Sequence, residues 1–515
     1  MVHYKVQVAT GLQLTAASTD IISIVLVGTN GESTKKNLGQ PLIIGAVSMM
    51  DFDSLKKILY VRLYKECFLL LLTNPWFCKY VNVTSPDGKL YQFPCYLWLS
   101  GFRTIEIPEA KETSINILNK NVLHPGLFIC HTLLSCRWKV YAEGTPYCID
   151  AGTSADLPPN EQYSFEKIGS FGFALASAYV HSNKPVWFKM DSQWLMFFAL
   201  CMACEPLTKV THFFFQMWKE DTFFGYQYLN GVNPMSVRKC TKIPDNFPVT
   251  QDMVASTLGS STDLQKELES GNIFLADYKI LEGIPTNTIN GKKQYLAAPL
   301  CLLWKSLQDY LIPIAIQLGQ QPGPEKPIFV ASDPEWDWTL AKIWVRYAEF
   351  QLHELDHHLL RTHLLAELFS IATSRNLPTQ HPLFKLLLPH FRYTLEINVL
   401  ARTQLIGPGG LFDKAFVTGN GGVPILVRKS LERLTYTSLC LPDDLKDRGM
   451  ESIPKHYYRE DELQLKSVTF YDAFANFIPD LVCKDPELQA WIKEIFKKGF
   501  LERESSGKRD PNGLH

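Results

Sequence analysis

Four histidines, His353, His357, His358 and His363, fall within one short stretch of a chain that has 13 in all. The surrounding residues 344–364 contain neither Gly nor Pro, so they read as one long helix. Neutral imidazole is the commonest metal-binding side chain, which makes a first-row transition metal the first chemistry to consider. Two metal readings use the same atoms. His353–Glu354–Leu355–Asp356–His357 is an H-E-x-x-H, the zinc-peptidase pattern in which histidines at i and i+4 share a helix face. His363 stands where the longer form of that pattern has its third ligand, but the Gly required at the turn is here Leu360. The second reading takes His358 and His363. Five residues of a regular α-helix advance roughly 500°, leaving the two rings about 140° apart. Both reach one ion only if the helix is locally widened, as in a π-type bulge. The bland alternative is a helix of scattered surface and core histidines, which four such residues so close together weaken. The stretch alone leaves the metal open.

The elements around it fall into two kinds. Residues 1–110 read as β, with strand-like runs at 4–10, 21–29, 58–64, 77–84, 89–94 and 104–107. Turn sequences Asn30–Gly31 and Ser85–Pro86–Asp87–Gly88 separate some of them, and the spacing predicts an antiparallel sandwich. Asn74–Pro75–Trp76 and Tyr96–Leu97–Trp98 read as loops, and an indole at a loop tip suits a membrane interface. Membrane contact by Trp76 and Trp98 is therefore expected, with packing against the core or the next domain as the competing alternative. Charge followed by Asn marks 108–125 as a linker. Beyond it the patterning is helical, at 191–204, 262–269, 338–374, 396–405, 425–434 and 486–499. The run Pro382–Leu383–Phe384–Lys385–Leu386–Leu387–Leu388 is apolar nearly all round, as in a buried helix. A metal beside such a core lies in a greasy cavity, which suits an oily substrate better than a peptide. Glu354 is then an ordinary surface or salt-bridged residue.

Length allows two or more domains with a large core. A formal charge of -1 offers no basic footprint, so nucleic acid is not expected as a partner. The 12 cysteines are scattered, with Cys201–Met202–Ala203–Cys204 the one C-x-x-C, and reduced cytosolic thiols are expected rather than a disulfide framework. The N-terminus alternates like a strand and does not resemble a signal peptide, and the longest apolar run, 194–204, is too short to span a bilayer. A cytoplasmic protein with peripheral membrane association is the expectation.

A series of stretches then stands out in order: Trp336–Asp337–Trp338–Thr339–Leu340–Ala341–Lys342–Ile343–Trp344–Val345–Arg346, His358–Leu359–Leu360–Arg361–Thr362–His363, and His381–Pro382–Leu383–Phe384–Lys385–Leu386–Leu387. Pro389–His390–Phe391–Arg392–Tyr393–Thr394, Ile397–Asn398, Ala401–Arg402, Leu439–Cys440–Leu441–Pro442 and Leu488–Gln489–Ala490–Trp491 continue it. In this order they resemble the animal lipoxygenase family. The N-terminal sandwich, with Phe93–Pro94–Cys95–Tyr96 and Trp98, is similar to that family's C2-like PLAT domain. The resemblance implies a PLAT β-sandwich over 1–110, a linker over 111–125, and a mostly α-helical lipoxygenase catalytic domain over 126–515 that lacks its C-terminal part.

It further implies one non-haem iron, held by His358 and His363 in a π-widened helix, with His353 just behind them. The implied reaction takes a hydrogen from a bis-allylic methylene of a polyunsaturated fatty acid and adds dioxygen to give a hydroperoxide. Ala401 matches the small residue tied to product handedness and implies (S) products. Phe350, Leu359, Leu364, Ile397, Leu405, Ala415 and Phe416 match pocket-lining positions. Where some members tether the substrate carboxylate with Arg, this chain has Leu400. Calcium-responsive members bind the ion with PLAT loop acids, but the corresponding loop, Gly31–Gln40, has one carboxylate and two lysines, and calcium wants several oxygens. Calcium is left open. The family's further iron ligands lie in a region beyond Leu488–Trp491 that these residues do not include, and 508–515 no longer follow the family. A truncated form is therefore expected, with two histidines holding iron weakly and an apolar face exposed. Two alternatives accompany the dioxygenase: a fatty hydroperoxide isomerase, and an inactive lipoxygenase-like protein that binds membranes or a partner.

Overall fold

The computed structural model describes residues 3–12, 16–39, 42–53, 57–66, 75–100, 103–109, 137–158, 161–181, 213, 216–377, 381–435, 437–459 and 485–501. The expected linker 111–125, the expected helix 191–204 and the C-x-x-C lie outside the described residues. An antiparallel sandwich comes first. β1 (His3–Thr10), β3 (Val47–Asp53), β5 (Trp76–Thr84) and β6 (Leu90–Leu99) form one sheet in the order β3–β1–β5–β6. β2 (Ile21–Gly28), β4 (Ile58–Glu66) and β7 (Arg103–Pro108) form the second, edged by short strands at Gly31–Glu32 and Lys36–Asn37. Strand alternation puts Val61 and Leu63 inside while Arg62 and Tyr64 face outward. The same register drives Lys65 into the interior, where it is 1% exposed and ion-paired with buried Asp20. β3 escaped the sequence pattern because its two adjacent methionines are weak strand signals.

The expected membrane tryptophans are corrected by this packing. Trp76 opens β5 and is 0% exposed, its indole N–H donating to Thr10 Oγ1 at 3.0 Å. Asn and Pro before it signal a turn, but Trp76 already stands on an inward position of the strand. Trp98 lies in β6, edge-on to Phe77 with ring centroids 5.2 Å apart, and the Arg392 guanidinium sits 3.5 Å from its ring. Trp98 therefore joins the sandwich to the helical part of the chain. Beside it Lys385 Nζ donates to the Cys95 carbonyl, and Leu97 packs with Leu377, Phe384 and Leu488.

The second part is mostly helical but contains a five-stranded antiparallel sheet that periodicity did not reveal. Its strands β8 (Val237–Lys239), β9 (Ile273–Asp277), β10 (Leu300–Lys305), β11 (Leu311–Gln317) and β12 (Ile328–Val330) lie in sequential order. β9, β10 and β11 are buried on both faces, so their apolar runs do not alternate and resemble buried helix. α1 (Asp221–Asn230) packs on β11. The central helix then runs without interruption through α2 (Glu335–Leu352), a π-helical stretch (His353–Leu364) and α3 (Leu365–Asn376). Ala341, Val345, Ala348 and Leu352 recur at helical spacing on its buried face. Glu349 pins α2 to the sheet side by accepting from Tyr278 Oη and Asn233 Nδ2, and burial raises its carboxyl pKa. α4 (Pro382–Leu387), α5 (Thr394–Leu400), α6 (Leu411–Ala415) and α7 (Gly419–Arg433) follow. α8 (Pro486–Gly499) has the boundaries read from the sequence, with Asp485 accepting from Glu487 N and Leu488 N as N-cap and Pro486 in the first turn.

The seating of α1 on β11 is testable at Gly225, where a Cβ would lie 1.7 Å from the Leu311 carbonyl oxygen. Helix propensity alone would make Gly225→Ala stabilising by about 1 kcal/mol, whereas forcing α1 off β11 should destabilise by about 2–3 kcal/mol. Urea denaturation reads the sign directly. A second prediction concerns buried His456, which burial pushes down to about 4, with Arg448 and Arg459 adding to the effect. Its imidazole stays neutral in the fold while the unfolded chain takes up a proton near pH 6.5. Unfolding free energy should therefore fall as pH drops from about 6.5 towards 4, by at most about 3 kcal/mol from this group. His456→Gln should flatten that part of a stability-against-pH profile.

Candidate metal centre

The helix widens where the histidines require it. His353–Leu364 is π-helical, with i→i+5 hydrogen bonding, so the five-residue step shares a face. The His358 and His363 rings come to 4.8 Å between centroids, and their Nε2 atoms face each other at 3.1 Å. The zinc-peptidase arrangement is not formed. His353 stacks on His358 at 5.9 Å, and among the described residues no ring contact or hydrogen bond joins it to His357. His357 is set among Asp356, Arg361 and Arg448, and burial pushes it down to about 4.

Hydrogen bonding determines which ring nitrogens carry protons. His358 Nδ1 lies 3.0 Å from Glu354 Oε2, and a carboxylate only accepts, so Nδ1–H donates. Glu354 is thus engaged by a hydrogen bond to a candidate ligand. His363 Nδ1 lies 3.0 Å from Asn398 Oδ1, while Asn398 Nδ2 donates to the His363 carbonyl and to Glu367 Oε2, both at 2.7 Å. The amide orientation follows, and His363 Nδ1–H must also be a donor. When both rings are neutral, both Nε2 atoms turn lone pairs toward one point. Nitrogen–metal bonds of about 2.1 Å at right angles place two nitrogens about 3.0 Å apart, so the pair fits adjacent positions on one first-row ion. The Nδ1–H partners are those that metal-bound histidines normally have. Burial lowers the His363 pKa, and the hydrogen bond to Glu354 raises that of His358. Burial also lowers the pKa of His353, which stands behind His358. Among the described residues no group of three or more His, Cys, Asp or Glu side chains converges on a metal position.

Behind His363 lies a buried carboxylate. Glu367 accepts from Arg402 Nη1 at 2.7 Å and Nη2 at 3.0 Å, from Ile149 N at 3.0 Å, and from Asn398. The Glu367 and Arg402 side chains are 1% and 8% exposed. Neither Asn398 nor Glu367 could be assigned a role from the sequence, because their partners are distant in the chain.

The expected pocket residues are brought together only in part. Leu359 and Leu364 line a small cavity with Arg402, Ile406, Val423 and Val427. Phe350 stacks on Phe416 at 5.4 Å, Phe416 on Phe412 at 3.8 Å, and Phe350 borders an open cleft of about 360 Å³. Ala401 is buried at the start of a second π-helical turn, Ala401–Leu405, and Ile397 and Leu405 are half-buried. Ala415 is solvent-exposed at the end of α6 and does not join the apolar wall. In the loop considered for calcium, Glu32 is engaged by Arg62 at 2.9 Å and its neighbour Lys35 pairs with Glu66. Its single carboxylate is therefore committed to an ion pair.

Residues 200–508 match the Lipoxygenase family profile, and residues 4–107 match that of the PLAT/LH2 domain. The chain belongs to the lipoxygenase family. It is 42% identical to the polyunsaturated fatty acid lipoxygenase ALOX15B of Homo sapiens, over 98% of this chain and 78% of that protein. It is 40% identical to the arachidonate 12-lipoxygenase, 12R-type, of Rattus norvegicus, over 98% and 79% of the respective chains. The hydroperoxide isomerase ALOXE3 of Homo sapiens is likewise 40% identical, over 98% of this chain and 79% of its own length. Among solved structures, a lipoxygenase in complex with arachidonate superposes with a TM-score of 0.79 at 30% identity, covering 97% of this chain and 77% of that one. A calcium-dependent 11R-lipoxygenase superposes at 0.77 and 30% identity, over 97% and 77%. This lipoxygenase thus pairs a PLAT sandwich with a catalytic fold of the dioxygenase family.

Arg402→Ala tests the anchor behind the site. It leaves the Glu367 carboxylate buried with its charged partner gone, which should destabilise the lipoxygenase by about 3–5 kcal/mol in chemical denaturation.

Proposed function

We propose that this lipoxygenase uses iron at His358 and His363 to oxygenate polyunsaturated fatty acids to (S)-hydroperoxides. The observation that carries the metal assignment is the convergence of two Nε2 atoms at 3.1 Å, each ring having an acceptor at its Nδ1. When bound, the iron supplies the one-electron oxidation that hydrogen removal from a bis-allylic carbon needs. The chain's own residues do the rest. Glu354 and Asn398 orient the two imidazoles, and Leu359, Leu364, Ile406, Val423 and Val427 offer apolar side chains to a small cavity beside Arg402, a lining that suits an oily chain. The (S) assignment rests on the resemblance at Ala401; relatives with 12R in their names bear on the same question, so product handedness is part of the test.

The hydroperoxide isomerase reading is favoured by one observation, the 40% identity to ALOXE3 over 98% of this chain. Peripheral membrane contact is proposed through exposed Leu12, Ile43 and Ile44 of the sandwich, in place of buried Trp76 and of Trp98, whose ring is taken up by Phe77 and Arg392. Iron-loaded protein given arachidonate or linoleate should consume oxygen and develop conjugated-diene absorbance, and chiral chromatography should show an (S) product. Ala401→Gly should enrich the (R) product. Loss of a supplied fatty hydroperoxide without oxygen uptake would select the isomerase, and neither response would reject both enzymatic readings.

A further inference from the structure

We infer that Asn398 is a positioning residue that sets the tautomer of His363, with the buried Glu367–Arg402 pair enforcing its orientation. The consequence for metal binding rests on the proposal that His358 and His363 share an ion.

A side-chain amide can present either its oxygen or its nitrogen. If Asn398 turned its Nδ2 toward His363, Nδ1 of that ring would have to accept, and the ring proton would move to Nε2. An N–H would then point into the 3.1 Å gap between the two imidazoles, where a ligand needs a lone pair. Two acceptors prevent the flip. Glu367 Oε2 and the His363 carbonyl both take hydrogen bonds from Asn398 Nδ2, each at 2.7 Å. Neither can donate to an amide oxygen in its place while Glu367 is ionised. The Arg402 fork and the Ile149 amide are likewise donors to Glu367, so every one of these partners treats it as an acceptor. Asn398 is 1% exposed, so the surroundings favour direct partners over solvent. His358 has no such need, because either oxygen of Glu354 accepts from its Nδ1–H. Donation thus converges on Glu367, from Arg402 on one side and, on the other, from the His363 ring through the Asn398 amide.

Two measurements on the full chain test this. Histidine-selective ¹⁵N NMR of the metal-free protein reads the tautomer without reference to metal, and titration with Co(II) reads affinity at the pair. Wild type should show His363 protonated at Nδ1. Asn398→Leu, similar in shape but without the amide, should shift that proton to Nε2 and weaken Co(II) binding about 10- to 100-fold. The double variant Glu367→Gln/Asn398→Asp offers His363 an acceptor in either carboxylate rotamer, and the amide introduced by Glu367→Gln can donate to the other oxygen, although the His363 carbonyl loses the donor it has in Asn398. It should regain the Nδ1–H tautomer and most of the affinity, which a merely structural role for Asn398 does not predict. A folded Asn398→Leu protein with wild-type tautomer and affinity overturns the inference. If that variant does not fold, an Nε2–H tautomer in the double variant does so instead. Wild-type protein that takes up no Co(II) rejects the metal proposal, and the NMR result still decides for or against Asn398.

Discussion

A carboxylate taken out of water must find charge and hydrogen-bond donors inside the protein, and Glu367 imposes that requirement on the middle of this fold. Its side chain is 1% exposed. An isolated buried carboxylate is so unfavourable that the surrounding elements must supply its donors or it must be protonated. They come from three parts of the chain: Ile149 at the end of a short hairpin, Asn398 on α5, and Arg402 in the π-helical turn that follows. The same donors hold the short hairpin and α5 against α3. His363 is one helical turn before Glu367 and shares Asn398 with it, so electrostatic satisfaction of the core and orientation of the candidate ligand are one arrangement.

The widened helix is the second requirement. A regular α-helix would separate the rings of His358 and His363, and the π-helical stretch brings them to one side. Wider hydrogen bonding is intrinsically less favourable, and this stretch is embedded in a helix whose flanks are well anchored. Leu355, Leu359 and Leu360 are buried within it, Asp356 pairs with Arg361 at 3.1 Å, and Thr362 Oγ1 donates to the His358 carbonyl. Packing on both sides therefore stabilises a backbone that local propensity would not select.

Much of this was legible in the residues, for reasons that differ element by element. The sandwich strands alternate, and α8 has an Asp-Pro start, so both could be located by pattern. The five-residue histidine step made helix widening a condition that could be stated in advance. By contrast, β9–β11 are buried on both faces and lose the alternation that marks a strand. Trp76 was misplaced because Asn and Pro signal the turn before it but not the inward direction of the next side chain. Asn398 and Glu367 were silent for a different reason. An amide and a carboxylate acquire their roles only when the fold brings His363, Arg402 and Ile149 to them.

The sandwich is joined to this arrangement over a short length of chain. Arg392 covers Trp98 of β6, and Asn398 reaches His363 from the helix that follows, α5. Between them Tyr393 adopts a positive φ of 70°, an uncommon conformation for a non-glycine residue, and its ring packs edge-on against Tyr163 at 5.3 Å. Glu396 accepts from the Tyr163 backbone N–H, which holds α5 from another side. The start of α5 is therefore fixed by the sandwich contact and its far end by Glu367. The helix that orients His363 is clamped at both ends, one by an aromatic–guanidinium contact between the two parts of the chain and the other by the buried ion pair. Because Lys385 and Leu97 add a hydrogen bond and an apolar contact to the first clamp, the PLAT sandwich helps to hold the catalytic scaffold as well as presenting an outer surface.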